Sequence, residues 1–200
     1  MSDEFSGDDF SDVRWSGREL AGESYMDCKF QDADLTKIVT HGCTFTNCDF
    51  TGADLDVSRH TVSAFIGCRF EKTGWRAAAL TGCKLIGSVF IDCRCTPWNV
   101  RDCDLSMVSF GGAGLKAVDF SGLRMREANL VDADLSHADL RGADLRGARM
   151  ANTRLFQADL RGAELDATAW QSAILTGARI DVQQAVGYAL AHGLVFENSR

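Results

Sequence analysis

The sequence predicts an all-β solenoid in which each coil has four sides and takes 20 residues, giving about nine coils. From Phe5 to Ile180, 36 residues have numbers that are multiples of five, and only Thr40 and His60 among them are polar. Ten of the twelve Phe residues fall on these positions. Ala or Cys usually lies two residues earlier, and Gly, Asp or Asn lies two residues later at 22 of the 36. Gly and Asx tolerate tight turns and positive φ, so each unit is expected to end at a corner.

Each five-residue unit therefore reads as small-inward, outward, large-inward, outward and turn. A two-residue alternation that turns every five residues fits neither a helix nor a long strand. Four corners close a square, and similar residues do recur every 20 positions. One such column holds Phe10, Phe30, Phe50, Phe70, Phe90, Phe110, Leu130, Met150 and Trp170. Stacking of like residues on successive coils is typical of a solenoid with nearest-neighbour packing.

The units Ala-Asp-Leu-x-Gly, clearest at 133–147, resemble the pentapeptide-repeat family. The resemblance covers residues 5–180 and implies a right-handed quadrilateral β-helix. Residues 82–90, 126–132, 177–186 and 191–194 resemble more closely the fluoroquinolone-resistance branch of the family. That resemblance implies a homodimer joined through its C-terminal ends, which mimics DNA, binds DNA gyrase and protects the enzyme from quinolones. The related Qnr proteins carry loops between coils, and none is expected here because the five-residue phase never slips between 5 and 180.

The formal charge of −7, from 28 acidic and 21 basic residues, argues against direct binding of nucleic acid, which needs a basic face. No apolar run approaches 18 residues, so no membrane span is expected. The N-terminus lacks the basic and apolar regions of a signal peptide, which predicts a cytoplasmic protein. No phosphate-binding glycine loop or nucleophile elbow occurs, so the sequence predicts no enzyme, no cofactor and no metal site.

The eight cysteines have a structural explanation. Seven occupy the small inward position and Cys95 occupies a large one, and free Cys packs as a small apolar residue. A disulfide between Cys28 and Cys48 is conceivable on coils about 4.8 Å apart. Parallel stacking and a reducing compartment argue against that disulfide.

Two sites depart from the repeat. His60 replaces a large inward residue, and we expect a hydrogen-bonded histidine at a local irregularity. Pro97 lies at a corner beside Trp98, which stands where a small residue belongs. Proline restricts its predecessor and removes a backbone donor, so a bend or distorted coil is expected near 96–100, and a cis bond is possible.

Acidic residues are concentrated near the N-terminus. Residues 1–56 carry 13 acids and four bases, a net charge of −9, whereas residues 57–200 sum to +2. Folded at 20 residues per coil, many of the acids line one corner. The candidate partner-binding surface comprises Asp12, Asp32, Asp34, Asp54, Asp56, Asp132 and Asp134. The alternative is that these residues only form corners and keep the surface soluble.

Residues 1–180 are assigned to the β-helix, with an irregular first coil because Asp3, Asp8, Arg18 and Glu23 occupy small inward sites. The phase changes at Asp181, where Asp181 and Gln184 resemble a capping box. Residues 181–200 are expected to form a helix and a short strand at 194–196 that cap the last coil and join two subunits. The dimerisation residues are predicted to be Trp170, Ile174, Val182, Val186, Ala189, Leu190, Leu194 and Phe196. Capping without dimerisation is the alternative.

Nine coils at about 4.8 Å each would make a rod of about 43 Å, and an end-to-end dimer about 90 Å long would match about 26 base pairs. The sequence therefore predicts a DNA mimic that binds DNA gyrase. The alternative is a pentapeptide-repeat scaffold or interaction protein without a gyrase role, because a fold does not fix a function.

Overall fold

The computed structural model describes residues 3–195, and the chain forms the right-handed, four-sided β-helix predicted from the repeat. Every strand pair and bridge is parallel and joins residues 20 apart, from Glu4↔Ser24 to Asp159↔Arg179. The period of 20 thus sets the register along the solenoid. No helix within the described range is long and apolar enough to cross a membrane.

The strands are short because a corner follows each extended segment. They are β1 (Glu4–Ser6), β2 (Glu19–Ala21), β3 (Ser24–Met26), β4 (Val39–His41), β5 (Thr44–Thr46), β6 (Arg59–Thr61), β7 (Ala64–Ile66), β8 (Arg69–Glu71), β9 (Ala79–Thr81), β10 (Val89–Ile91) and β11 (Asn99–Arg101). Three sheets have the orders β1-β3-β5-β7, β10-β8 and β11-β9-β6-β4-β2. Two helices follow, α1 (Ala167–Ser172) and α2 (Val182–Ala191).

The regular β-helix is shorter than the nine coils that the sequence predicted. Continuous strands stack through about five turns, as the five-stranded sheet shows. Beyond residue 101 the ladder continues only as single bridges, such as Asp139↔Asp159. There, two-residue turns separate three-residue segments, and only the central residue of a segment forms a bridge.

The interior is filled by the predicted columns of large side chains. In the N-terminal half the rings of Phe30, Phe50 and Phe70 stack with centroids 4.9 and 5.0 Å apart. In the C-terminal half the same columns hold Leu and Met, for example Leu145 and Met150, which are also buried. Aromatic stacking adds about 0.5–1.5 kcal/mol per pair to the free energy gained by burial.

All eight cysteines are free thiols, and all except the half-buried Cys93 lie in the core. The conceivable disulfide between Cys28 and Cys48 is therefore absent. Burial raises the pKa of the Cys28, Cys43 and Cys68 thiols. Such thiols are poor nucleophiles, which agrees with a packing role.

His60 is buried and hydrogen-bonded, as expected. Its side chain is 2% exposed, with Nδ1 2.8 Å from Thr40 Oγ1 and Nε2 2.9 Å from Ser58 Oγ. Ser63 Oγ lies 2.9 Å from the same Thr40 hydroxyl. Burial lowers the pKa of His60 to about 3, so the ring is neutral at physiological pH.

The second irregular site lies at Pro97. The Thr96–Pro97 peptide bond is cis, and Trp98 is buried in the place of a small residue. The ring of Trp98 packs 5.9 Å from Trp75 and 5.6 Å from Phe90. The indole N–H groups of Trp75 and Trp98 have no hydrogen-bond partner within the described residues.

The first coil is regular, contrary to expectation. β1 pairs with β3 in full register, and further bridges join Asp9 to Lys29 and Arg14 to Asp34. Asp3, Asp8 and Arg18 are tolerated at small inward positions because they remain exposed at the edge of this coil, and Glu23 is half-buried and accepts a hydrogen bond from the Tyr25 hydroxyl.

A second correction concerns α1, which the sequence did not predict. Residues 167–172 form a short helix in the last coil, although the ladder resumes at Ile174↔Arg154. This helix buries Trp170, which keeps the repeat phase, and also Ala169, which stands at an outward position of the repeat. The five-residue phase therefore continues in the sequence while the backbone departs from the β-helix.

Candidate functional site

The predicted acidic surface divides into exposed and neutralised carboxylates. Asp12, Asp32 and Asp132 are exposed at one corner of the coil, where each adopts a positive φ between 54° and 59°. Asp is one of the few residues that tolerates this conformation. The corner geometry thus explains why Asp occurs there and also directs the side chains outward.

Asp34 and Asp54 lie beside this corner on adjacent coils. They are half-buried neighbours in a parallel bridge. The Asp34 Oδ1 atom accepts hydrogen bonds from the Thr36 amide at 3.1 Å and the Thr36 hydroxyl at 2.7 Å. Asp54 Oδ1 accepts from the Asp56 amide at 2.9 Å. These bonds fix the carboxylates on a rigid wall, and no ion pair within residues 3–195 involves either one.

Asp56 and Asp134 do not belong to an exposed acidic surface, which corrects the prediction. Both are buried. The Asp56 carboxylate pairs with Arg76 at 2.7 Å, and Asp134 pairs with Lys116 at 3.3 Å and Arg154 at 3.4 Å. Burial acts to raise the pKa of Asp134, but hydrogen bonds from Ser136 and pairing with Lys116 outweigh it and lower the pKa. Arg76 and Arg154 each lie 20 residues after their partner, so the repeat arithmetic could have revealed both pairs.

The C-terminal half pairs more of its acids with basic residues than the N-terminal half does, although Asp119 and Asp132 take part in no ion pair within residues 3–195. Its ion pairs run along two faces and include Arg124–Asp104, Arg126–Asp144, Arg141–Asp139, Arg146–Asp144, Arg146–Glu164, Arg161–Asp159 and Arg179–Asp159. Hydrogen bonds from Arg141 lower the pKa of Asp139, and those from Arg161 lower the pKa of Asp159 to about 2. These pairs stabilise the fold above the ordinary Asp pKa, and their contribution is lost as the pH falls through the lowered values.

The C-terminal end is closed by α2, and the predicted capping box is present. Asp181 accepts a hydrogen bond from the Gln184 amide at 2.9 Å, and the Gln184 side chain accepts from the Asp181 amide at 3.0 Å. Gln184 also donates to the carbonyls of Leu160 at 2.6 Å and Ala163 at 2.7 Å. This second role, which the sequence did not reveal, ties α2 to the open end of the coil.

The apolar face of α2 points away from the solenoid. Val182 is 83% exposed and Leu190 is 56% exposed, and Val186 and Leu194 are exposed as well. Gln184, Gly187 and Ala191 occupy the side nearer the coil, and Tyr188, although 40% exposed, packs one side of its ring against Trp170. Of the predicted dimerisation residues, Ile174 is exposed and Ala189 is half-buried.

Trp170 and the predicted terminal strand differ in the structure from what the dimerisation prediction expected. Trp170 is 5% exposed and packs against Tyr188 with ring centroids 6.1 Å apart, so it supports α2 and offers little surface to a partner. Leu194 and Val195 form no strand, contrary to the predicted strand at 194–196, because no neighbouring strand pairs with them in the described range. Phe196 lies outside the described residues.

These features define a class of protein, a right-handed solenoid of five-residue units with charged outer walls. The family model described as Pentapeptide repeats matches residues 26–56 and 128–166 in eight copies. The chain is also 45% identical over 177 residues to the pentapeptide repeat protein MfpA of Mycobacterium tuberculosis, a match that covers 86% of this chain and 97% of MfpA. The chain therefore belongs to the pentapeptide-repeat family.

Solved structures show the same fold. A trypsin-treated variant of QnrB1, a plasmid-mediated fluoroquinolone resistance protein, matches with a TM-score of 0.72 and 20% identity, covering 98% of this chain and 99% of QnrB1. Full-length QnrB1 matches with a TM-score of 0.70 at 20% identity, covering 97% of this chain and 99% of QnrB1. At this level of identity the likeness shows a shared fold.

Proposed function

We propose that this protein binds DNA gyrase in place of duplex DNA and protects the enzyme from fluoroquinolone-type poisons. The observation that carries the proposal is the set of uncompensated carboxylates on the rigid wall of the N-terminal half. The resemblance to the resistance branch of the family and the similarity to MfpA support it. The resistance role named for QnrB1, which shares the fold, points in the same direction.

The gyrase-binding surface is assigned to Asp12, Asp32, Asp34 and Asp54, with Asp132 at the same corner further along the solenoid. Duplex DNA presents closely spaced negative charges, and a protein that holds DNA neutralises them with Lys and Arg. Carboxylates fixed by backbone hydrogen bonds can meet those basic side chains without reorganising. Binding is expected to weaken as salt is raised, because it depends on exposed charges.

The proposed role is binding and involves no catalysis, cofactor or direct contact with nucleic acid. Competition with DNA would require only that both ligands meet the same basic surface of gyrase. A gyrase partner also places the protein in the cytoplasm.

The protein is further proposed to act as a homodimer joined through its C-terminal ends. Val182, Val186 and Leu190 form an exposed apolar stripe along α2, and Leu194 extends it. Exposed apolar patches of this kind commonly mark protein interfaces. A second copy would cover the stripe symmetrically and leave the acidic wall of each subunit free.

Supercoiling by purified gyrase, with and without ciprofloxacin, tests the function. The protein is expected to inhibit supercoiling at high concentration and to reduce drug-stabilised DNA cleavage at lower concentration. The combined variant Asp32→Asn, Asp34→Asn and Asp54→Asn keeps the shapes and acceptor oxygens, so it should fold and lose at least tenfold in potency. The matched control neutralises Asp119, Asp139 and Asp159, which lie on another face.

Equal potency of the two variants would refute the assigned surface. No effect of the parent protein on gyrase at any stoichiometry would refute the gyrase role itself, and a scaffold function would then remain.

The dimer is tested by sedimentation velocity of a Val186→Glu variant. A carboxylate in the apolar stripe should convert the dimer to a monomer, because burying an unpaired charge is strongly unfavourable. The control Gln183→Glu adds the same charge to an exposed polar site on α2 and should leave the dimer intact. A parent protein that sediments as a monomer would contradict the proposal.

A further inference from the structure

The outer edge of the first coil is not covered by any described residue. β1 is the terminal strand of its sheet and β2 is the terminal strand of the five-stranded sheet. Above this edge the rings of Phe5, Phe10 and Trp15 are only partly buried. An uncovered strand edge with apolar groups behind it is a ready template for pairing with another chain.

The inward small positions of this coil differ sharply from those above it. In the second coil Cys28, Ala33 and Ile38 fill these positions and are at most 2% exposed. One coil earlier, in the corresponding columns, stand Asp8, Val13 and Arg18, with Asp3 in the fourth column. The three charged residues are all exposed. The fourth inward position of the second coil is also charged, but Glu23 there is half-buried and accepts a hydrogen bond from the Tyr25 hydroxyl at 2.8 Å, whereas the charges of the first coil are exposed.

Local contacts hold these charges at the opening of the coil. The Asp8 carboxylate accepts a hydrogen bond from the Ser6 amide at 3.1 Å. The Arg18 guanidinium lies 4.3 Å from the centre of the Trp15 ring, which it partly covers. A cation on an aromatic face is favourable and keeps the arginine over the end of the core.

We propose that the N-terminal end of the solenoid has the shape and the apolar groups to stack on a second copy of the chain, and that the charges of Asp3, Asp8 and Arg18 prevent this association. A second copy has the same four-sided outline and could stack on this end, pairing backbone groups and covering the three rings. Stacking would bury the three charges inside an apolar interior, which is unfavourable unless each is paired. Inward-pointing charges are one of the devices by which natural β-proteins protect their edges.

Protection of the N-terminal end limits how the protein can assemble. Where the C-terminal ends also join, as proposed above, an open N-terminal end would link dimers into filaments that never close. The guarded end restricts the assembly to a discrete species. The closure itself does not depend on the dimer, because it concerns the opposite end of the chain.

The test compares two triple variants of the full chain. The first is Asp3→Ala, Asp8→Ala and Arg18→Ala, which places small residues at the inward sites. The control is Asp9→Ala, Arg14→Ala and Glu19→Ala, which removes two acids and one base from outward sites of the same coil. Both variants change the net charge equally, so they differ only in whether the removed charges stood at inward or at outward sites of the coil.

Sedimentation velocity over a hundredfold range of concentration is expected to show species of at least twice the parent mass for the first variant alone. The same association should persist when Val186→Glu is added, since it uses the other end of the molecule. Parent mass for the first variant at every concentration, or equal association of both variants, would overturn the proposal. If the triple variant does not fold, the single change Arg18→Ile, which copies Ile38 of the next coil, is judged by the same criterion.

Discussion

The N-terminal and C-terminal halves of the solenoid share one backbone repeat but differ in the side chains that fill the core and in the pairing of their surface charges. The first half stacks Phe, Tyr and Trp rings in its core and leaves many carboxylates without a cationic partner. The second half packs mostly Leu and Ala and pairs many of its acids with Arg along the outer wall, for example Asp139 and Asp159. The repeat therefore constrains the inward residues, while the outward residues are free to differ between the halves.

This difference suggests a division of roles. Uncompensated charges in the first half repel one another and act against stability, and the tight aromatic core offsets that effect. The paired charges of the second half give a more neutral frame that carries the α2 end. The uncompensated carboxylates bring no evident structural benefit and stand on a well-packed core, and we therefore infer that they serve binding.

The largest effect is expected in the core of the aromatic half. Phe50→Ala should lower the free energy of unfolding by about 3–5 kcal/mol, because it leaves a cavity and removes two stacked ring contacts. Leu145→Ala, a change at a buried large position in the second half, should lower the free energy of unfolding by about 2–3 kcal/mol. Chemical denaturation followed by circular dichroism measures both. A larger loss for Leu145→Ala would contradict the view that the aromatic core offsets the charge.

A second prediction concerns pH and the buried His60. The unfolded ring takes up a proton below about pH 6.5, whereas the folded ring stays neutral down to about pH 3. Between these values the unfolded state binds more protons, so stability falls as the pH is lowered, by about 1.4 kcal/mol per pH unit.

His60→Leu tests this directly. At pH 7 the variant should be about 1–3 kcal/mol less stable than the parent, because the hydroxyls of Thr40 and Ser58 lose their partner. The difference should shrink between pH 6 and pH 4 and then reverse. A constant difference across this range would show that protonation of His60 does not limit stability.

The corner glycines provide a smaller and more local comparison. Gly52 has a φ of +74°, and an added Cβ would clash with Asp32 Oδ1, whereas a Cβ at Gly142 would meet nothing within 4 Å. Gly142→Ala should therefore cost only the strain of a left-handed residue, about 1 kcal/mol. Gly52→Ala should cost about 1 kcal/mol more, because the Asp32 side chain must move. Thermal denaturation would show the ordering, and equal losses would mean that Asp32 relocates freely.

The smallest effects are expected on the outer wall. Arg141→Ala should destabilise the protein by less than about 1 kcal/mol, as is usual for exposed ion pairs. Asp32→Asn should be neutral or slightly stabilising at low salt, because it relieves repulsion in the acidic half. Adding salt should reduce both differences. A marked loss of stability for Asp32→Asn would indicate that this carboxylate has a structural role.

Much of the molecule could be predicted from the spacing of residues. The columns of Phe30 and Phe50 and the capping box of Asp181 follow from local patterns that the structure preserves. α1 could not be predicted, because Trp170 still satisfies the repeat phase and the apolar Ala169 at an outward position does not by itself indicate a helix. The hydrogen bonds that Gln184 donates to the carbonyls of Leu160 and Ala163 depend on where α2 packs against the coil, which no local sequence pattern specifies.

The acidic surface was predicted only in part. The corner positions of Asp12 and Asp32 followed from the repeat, and both are exposed. Asp56 and Asp134 were predicted to be exposed, but both are buried and paired with Arg or Lys on neighbouring coils. Counting charges within a segment overlooks such pairs, whereas counting them in columns of 20 residues finds Arg76 and Arg154 but not Lys116, which lies 18 residues from Asp134.

Displacement of a fluorescent duplex from DNA gyrase tests the central claim most directly. The parent protein should displace the duplex in a concentration-dependent manner and less effectively at high salt. The Asp32→Asn, Asp34→Asn and Asp54→Asn variant should need at least ten times the concentration, while neutralising Asp119, Asp139 and Asp159 should change little. Simultaneous binding of protein and duplex to gyrase, with no displacement at saturation, would contradict the proposal that this chain takes the place of DNA.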